Sequence, residues 1–271
     1  MPAAQLVDLF DRYGNRIFPH EEGLLEHIKA PIKAPIEFLG ELFLYSQFTP
    51  APLEGLLNDY FGNTWLMESR KPILITSIQT TDPKTAAQEF IFSSVLAKDN
   101  PEENYLLKDV CRATSAATTY FPAAEVKSFT HTPRIFIDAG LTANNPARLA
   151  YLAAKTRFPK EKIAIFSLGT GKQKHMSTIP ANVGKARSAR PLITNMMEMN
   201  SEQTHLIFAH PHFVNEDDAY VRVQCDLEKE IDLSDVSPEN LKYLKNMAKT
   251  QKNAIKSLAK FLKENSKKQV N

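Results

Sequence analysis

One stretch of this chain constrains its fold more than any other: two short apolar strands with a helix between them, over residues 134–168. Arg134-Ile-Phe-Ile-Asp138 and Lys162-Ile-Ala-Ile-Phe-Ser-Leu168 carry the β-branched and aromatic residues that strands favour. Between them Asn145 is placed to cap a helix and Pro146 to take its first position, with the helix running through Lys155. Strand, helix, strand in that order implies a right-handed parallel crossover, and so an α/β fold with a mostly parallel sheet.

The flanking residues supply further elements. Leu6, Val7, Phe10 and Tyr13 have helical spacing, which predicts a helix over residues 5–13 that breaks at Asn15. Residues 20–45 mix Pro31 and Pro35 with Ile36 and Leu39 and read as loop with short helix. A helix over residues 50–61 ends at Gly62, and strands follow at residues 72–79 and 89–95. Residues 107–120 read as a helix of small residues that stops before Pro122. Beyond the polar stretch 172–190 the pattern gives a helix near residues 192–199, strands at 205–209 and 220–225, and a long last helix capped by Ser237 and Pro238. With 271 residues, 43% of them hydrophobic, and no internal repeat or linker, the chain reads as a single domain, 1–271.

Asp138 closes its strand and is followed by Ala139 and Gly140. By spacing alone this is a tight turn, yet a carboxylate at the C-terminal end of a parallel strand also points where α/β proteins bind ligands. The surrounding segments tip the balance. Residues 111–123 (Cys-Arg-Ala-Thr-Ser-Ala-Ala-Thr-Thr-Tyr-Phe-Pro-Ala), 136–147 (Phe-Ile-Asp-Ala-Gly-Leu-Thr-Ala-Asn-Asn-Pro-Ala) and 167–172 (Ser-Leu-Gly-Thr-Gly-Lys) resemble, in order and at the right intervals, three motifs of the patatin-like phospholipase family. The resemblance implies a three-layer α/β sandwich, a lipid acyl hydrolase activity, and a Ser–Asp dyad in which Asp138 is the base, with Ala139 and Gly140 forming its turn. The family usually has glycine where this chain has Ala139. Membrane lipids or fatty-acyl esters are the implied substrates, with no cofactor and no metal.

The nucleophile is not found. The family's elbow requires Gly-x-Ser-x-Gly, because its strained turn leaves no room for larger neighbours. None of the nine glycines has serine two positions on, and no two glycines are adjacent, so the glycine-rich oxyanion loop is missing as well. Residues 1–19 resemble instead the helix that follows the elbow in complete members. The expectation is therefore a patatin-like domain incomplete at its N-terminus, inactive as written, with sheet edges that invite a partner strand. The alternative is a catalytically silent lipid-binding or interaction module that kept the fold.

Other readings are weaker. Gly169-Thr-Gly-Lys172 is not a Walker loop, because Phe166 and Gln173 stand where glycine and a hydroxyl residue are required. His205, His210 and His212 lack an evident carboxylate or cysteine to complete a metal site. Cys111 and Cys225 read as reduced, buried thiols. The net charge of +2 points to no particular partner, although residues 239–268 form a basic amphipathic helix, rich in lysine beside apolar positions. Such a helix packs on its own domain or rests on a membrane surface. Its shortage of aromatics argues against nucleic acid. Residues 1–11 carry no secretory signal, which makes the cytoplasm the default location, and secretion stays open because the family's N-terminal segment is not in this sequence.

Overall fold

The computed structural model describes residues 3–19, 46–80, 86–174, 185–210 and 217–267. These fall into two compact units, one of residues 1–140 with 234–237, the other of residues 141–233 with 238–271. The expected loop at residues 20–45 and most of the polar stretch after Lys174 lie outside the described residues.

The first unit contains α1 (Ala3–Ile17), α2 (Ala51–Phe61), β1 (Leu74–Gln79), β2 (Gln88–Ser93), α3 (Leu96–Asp99), α4 (Leu107–Thr114), β3 (Ala124–Lys127) and β4 (Pro133–Asp138). Its sheet has the order β2-β1-β4-β3, with every neighbouring pair antiparallel. The core on one face joins Phe92, Tyr105, Val110, Ala113, Ala116, Val126 and Phe136, all at most 4% exposed. Alternation sets this up: β3 reads buried, exposed, buried, exposed along Ala124–Lys127. A second cluster holds α1 and α2 together through Ile17, Phe48, Leu56 and Phe121. Gly14 of α1 lies against Val236, where a methyl group would come within 3.1 Å of that side chain. The turn from β3 to β4 closes tightly, with Ser128 N–H donating to Thr132 C=O (3.3 Å) and His131 N–H to Ser128 C=O (2.9 Å). His131 takes a φ of 65° to do so.

The second unit contains α5 (Gly140–Ala143, which begins at the last residue of the first unit), α6 (Ala147–Arg157), β5 (Ala164–Leu168), β6 (Lys172–Gln173), α7 (Lys185–Ala209), β7 (Ala219–Val223), β8 (Asp226–Leu227), α8 (Pro238–Thr250) and α9 (Lys252–Lys267). Here the strands pair in parallel, β5 with β7 and β6 with β8. Ala147, Ile165 and Phe208 form the core, with Tyr151 and Tyr220 against it. Asp218 ties the start of the sheet to α6. Its fully buried carboxylate accepts from Ile163 N–H (2.7 Å), Tyr151 Oη (2.8 Å) and Lys155 Nζ (2.9 Å). Burial pushes that carboxyl up, but the three donors outweigh it and hold the group below its ordinary range.

The fold is α/β, as the sequence implies. The expected crossover sits one step later in the chain: β4 takes antiparallel partners on both sides, and the parallel strand–helix–strand unit is β5-α7-β7. Several elements also differ from the sequence reading. The first helix continues past Asn15 to Ile17. The small-residue helix stops at Thr114 rather than Tyr120: beyond it the backbone bonds tighten, Ala116 N–H donating to Ala113 C=O (3.2 Å), and the Ala116 carbonyl accepts from Asp138 N–H (3.0 Å). Residues 205–209 are the end of α7, not a strand; Ser201, Thr204 and Phe208 are its buried positions, three and four apart as a helix requires. The last helix is two, parted at Gln251.

Candidate active site

Asp138 ends an interior strand. β1 pairs with one edge of β4 as far as Asp138, while β3 pairs with the other edge only up to Phe136, so β1 alone sets the strand register of this residue. Its backbone N–H is bound to the Ala116 carbonyl just beyond α4. Ser77 of β1 is its cross-strand partner, which places both side chains on the same face of the sheet.

Ser77 is the hydroxyl that the strand order brings to Asp138, and sequence reading did not single it out. It is fully buried, and its Oγ donates to the Ile137 carbonyl at 2.7 Å, with a longer approach of 3.5 Å to the Ala113 carbonyl. A hydroxyl with no exposed surface and its proton already given to a backbone carbonyl has no path to an ester. Ser77 therefore acts as a strut between β1, β4 and α4, as does Thr114, whose Oγ1 donates to the Thr76 carbonyl (2.8 Å).

The carboxylate of Asp138 accepts one hydrogen bond among the described residues, from Gly140 N–H at 2.5 Å. Burial pushes its carboxyl above the ordinary aspartate range, and the Gly140 N–H pulls part of the way back. That is the state a general base needs: a group in apolar surroundings, reluctant to stay charged and ready to take a proton. Ala139 is 2% exposed and has no positive φ, so its methyl group is accommodated by an ordinary backbone. Glycine is therefore not demanded there by conformation.

A stability consequence follows. A carboxyl whose folded pKa lies above its unfolded value leaves the folded state holding the proton more tightly. Its cost is absent below the ordinary aspartate range and grows as pH rises through the raised value. Asp138→Asn, which keeps an oxygen for Gly140 N–H, is expected to be more stable than the parent at neutral pH, with the gap closing toward acid. Urea titrations at a series of pH values check this, and a gap that does not change with pH would refute it.

The second unit holds a cleft of its own, about 360 Å³, at the C-terminal ends of β5 and β7. The Gly169–Lys172 turn forms one wall; Glu198, Glu202 and His205 of α7 line another. Gly171 has a φ of 118°, in the region that favours glycine, and a Cβ on Gly169 would sit 2.1 Å from the Gln224 side chain. Lys172 Nζ pairs with Glu202 at 2.9 Å, and Arg222 reaches Ser167 Oγ (2.5 Å) and Ser201 Oγ (3.0 Å). Arg222 and Ser201 were not legible in the sequence, because their partners lie 55 and 21 residues apart in the chain.

The remaining candidates separate. His205 Nδ1 is 3.4 Å from Tyr220 Oη, and His212 lies outside the described residues. Among the described residues no group of three or more His, Cys, Asp or Glu could hold a metal ion. Both cysteines are unpaired, and burial pushes the Cys111 thiol up to about 11, which keeps it protonated and unreactive.

Comparison with known proteins agrees with the motifs at residues 111–123 and 136–147. The patatin-like phospholipase family model matches residues 12–151, a span that includes α4, β4 and Asp138. Patatin-like protein 1 of Arabidopsis thaliana is 25% identical over 94% of this chain and 64% of its own length. Patatin-like protein 3 of the same plant is 26% identical over 62% of this chain and 41% of its own. Patatin-like protein 6, also from that plant, reaches 32% over 44% of this chain and 25% of its own. The chain thus spans less than two thirds of the length of these relatives.

Proposed function

Because the chain belongs to the patatin-like phospholipase family, we propose that it supplies the aspartate half of a Ser–Asp dyad for hydrolysing carboxylic esters of lipids. The observation that carries this reading is Asp138 itself: a half-buried carboxyl whose pKa is raised by desolvation, at the end of an interior strand, within the span matched by the family model.

In the proposed reaction the serine Oγ attacks the ester carbonyl while Asp138 takes its proton. The tetrahedral intermediate, its oxyanion held by backbone N–H groups of the glycine-rich loop, collapses to an acyl-enzyme. Asp138 returns the proton to the departing alcohol oxygen. Water then attacks the acyl carbonyl, again giving a proton to Asp138; the acyl–serine bond breaks, the serine regains its proton, and a fatty acid leaves. Asp138 acts on serine directly, with no histidine between them.

The 271 residues contain no Gly-x-Ser-x-Gly, and Ser77 cannot take the nucleophile's place. On this reading they are inactive by themselves. A second reading, a lipid-binding or interaction module without chemistry, is favoured by that same missing elbow. Under either, a further strand would add at an open sheet edge, and the parallel pair β5–β7, whose strands each have one partner among the described residues, offers such edges. The test is a fluorophosphonate probe together with a chromogenic ester, applied to the pure 271-residue protein. No covalent adduct and no turnover above buffer is the expected result; Asp138-dependent labelling or turnover would refute it.

A further inference from the structure

We infer that α8 and α9 carry a docking surface for an anionic lipid bilayer, separate from any ester chemistry. Lys242, Lys245 and Lys249 on α8 are spaced three and four apart, as are Lys252, Lys256 and Lys260 on α9 at four and four. At 3.6 residues per turn each set of three falls within an arc of about 60–80°. The sequence repeats the spacing at Lys263 and Lys267, and between Glu239 and Glu264 it places no acidic residue.

Like charges three and four apart on a helix repel one another. A fold that needed this face only for solubility would intersperse acids along it. Lys242, Lys249, Lys252 and Lys256 are exposed and make no ion pair among the described residues. The other side of the helices serves the fold. Leu258 is buried at 6% exposure, Leu241, Leu244 and Met247 are half-buried, and α9 packs on β7. Apart from the half-buried Lys245, the lysine stripe is therefore turned away from the packed side by the same periodicity that buries Leu258.

Three features select a bilayer from among polyanions. Every basic residue over residues 239–271 is lysine; there is no arginine to grip phosphates in a planar fork. Tyr243, which could stack on a base, is already used, its Oη accepting from Glu228 N–H at 2.9 Å. Beside the lysines Ile255 is 46% exposed, with Ala259 also exposed, an apolar margin that can enter the headgroup layer while the lysine stems extend along it. No helix among the described residues is long and apolar enough to cross a membrane, so the contact is with the surface.

The experiment is co-sedimentation of the 271-residue protein with vesicles of ether-linked phosphatidylcholine, with and without ether-linked phosphatidylserine. Ether lipids cannot be hydrolysed, so the result is independent of whether the protein has esterase activity. The protein should sediment with the serine-containing vesicles only, and high salt should release it. Each lysine near an anionic surface is worth roughly fivefold in partitioning, so the triple variant K249Q/K252Q/K256Q should bind on the order of 100-fold more weakly. The charge-preserving K249R/K252R/K256R should bind like the parent, which separates lost charge from lost folding. Equal binding to both vesicle types, no binding to either, an unaffected glutamine variant, or tighter binding to duplex DNA at the same salt would each overturn the proposal.

Discussion

In any form of this chain extended to carry a glycine-rich loop and a Gly-x-Ser-x-Gly elbow, Asp138→Asn is expected to lower kcat/KM for ester hydrolysis by roughly a thousand- to ten-thousand-fold. Asparagine can keep the bond from Gly140 N–H, which now ends on Asp138 Oδ1 at 2.5 Å, so the turn should persist. What it cannot do is accept the serine proton, and a protonated serine is a poor nucleophile. The loss should fall on kcat, since Asp138 has no part in holding an acyl chain. The pH profile gives a second readout. Burial raises the Asp138 carboxyl, so activity should rise with pH through a midpoint above the ordinary aspartate range. A loss of less than tenfold, or a midpoint at or below the ordinary value, would remove Asp138 from the reaction.

The largest expected effect on stability comes two residues earlier. Phe136 is fully buried among three other rings, with Phe92 at 4.9 Å, Phe90 at 5.1 Å and Tyr105 at 6.3 Å between centroids. Most of these pairs meet edge to face, the arrangement that the charge distribution of an aromatic ring prefers. Phe136→Ala removes the ring and leaves a void that the sheet cannot close, because Gln79 and Ala124 flank it in fixed register. The expected cost is about 3–5 kcal/mol. Equilibrium urea unfolding measures it, with Leu152→Ala as control; Leu152 is 53% exposed, and its loss should cost about 0.5 kcal/mol or less. A cost for Phe136→Ala below about 1.5 kcal/mol would mean that the site collapses freely.

Much of this molecule can be read from local sequence. The strands at residues 74–79, 88–93, 133–138, 164–168 and 219–223 stand out because β-branched and aromatic residues gather there. Asp138 stands out because it combines two signals, a carboxylate closing an apolar strand and a place inside a family motif. Residues 205–209 mislead through an equally local signal: Leu206, Ile207 and Phe208 form a short apolar run, which periodicity cannot assign to strand or helix. Only the burial of Ser201 and Thr204 one turn earlier reveals the helix. Pairing is less legible still. Nothing near Asp138 in sequence announces Ser77, 61 positions earlier, or the hydrogen bond from residue 138 to residue 116 just beyond α4. Long-range contacts of this kind override local propensity.

The tight turn between β3 and β4 has a consequence for how this domain can vary. Which face of the sheet receives the Asp138 carboxylate is a question of parity. Sliding β4 by one residue against its neighbours would bring Ile137 to that face and turn the carboxylate to the other, while a slide of two would restore the original side. The five residues Ser128–Thr132, closed by two backbone bonds, hold the count. Exchanging their side chains is a gradual change, whereas adding or removing one residue is all or nothing. The length of this hairpin therefore guards the carboxylate's side of the sheet more strictly than its composition does.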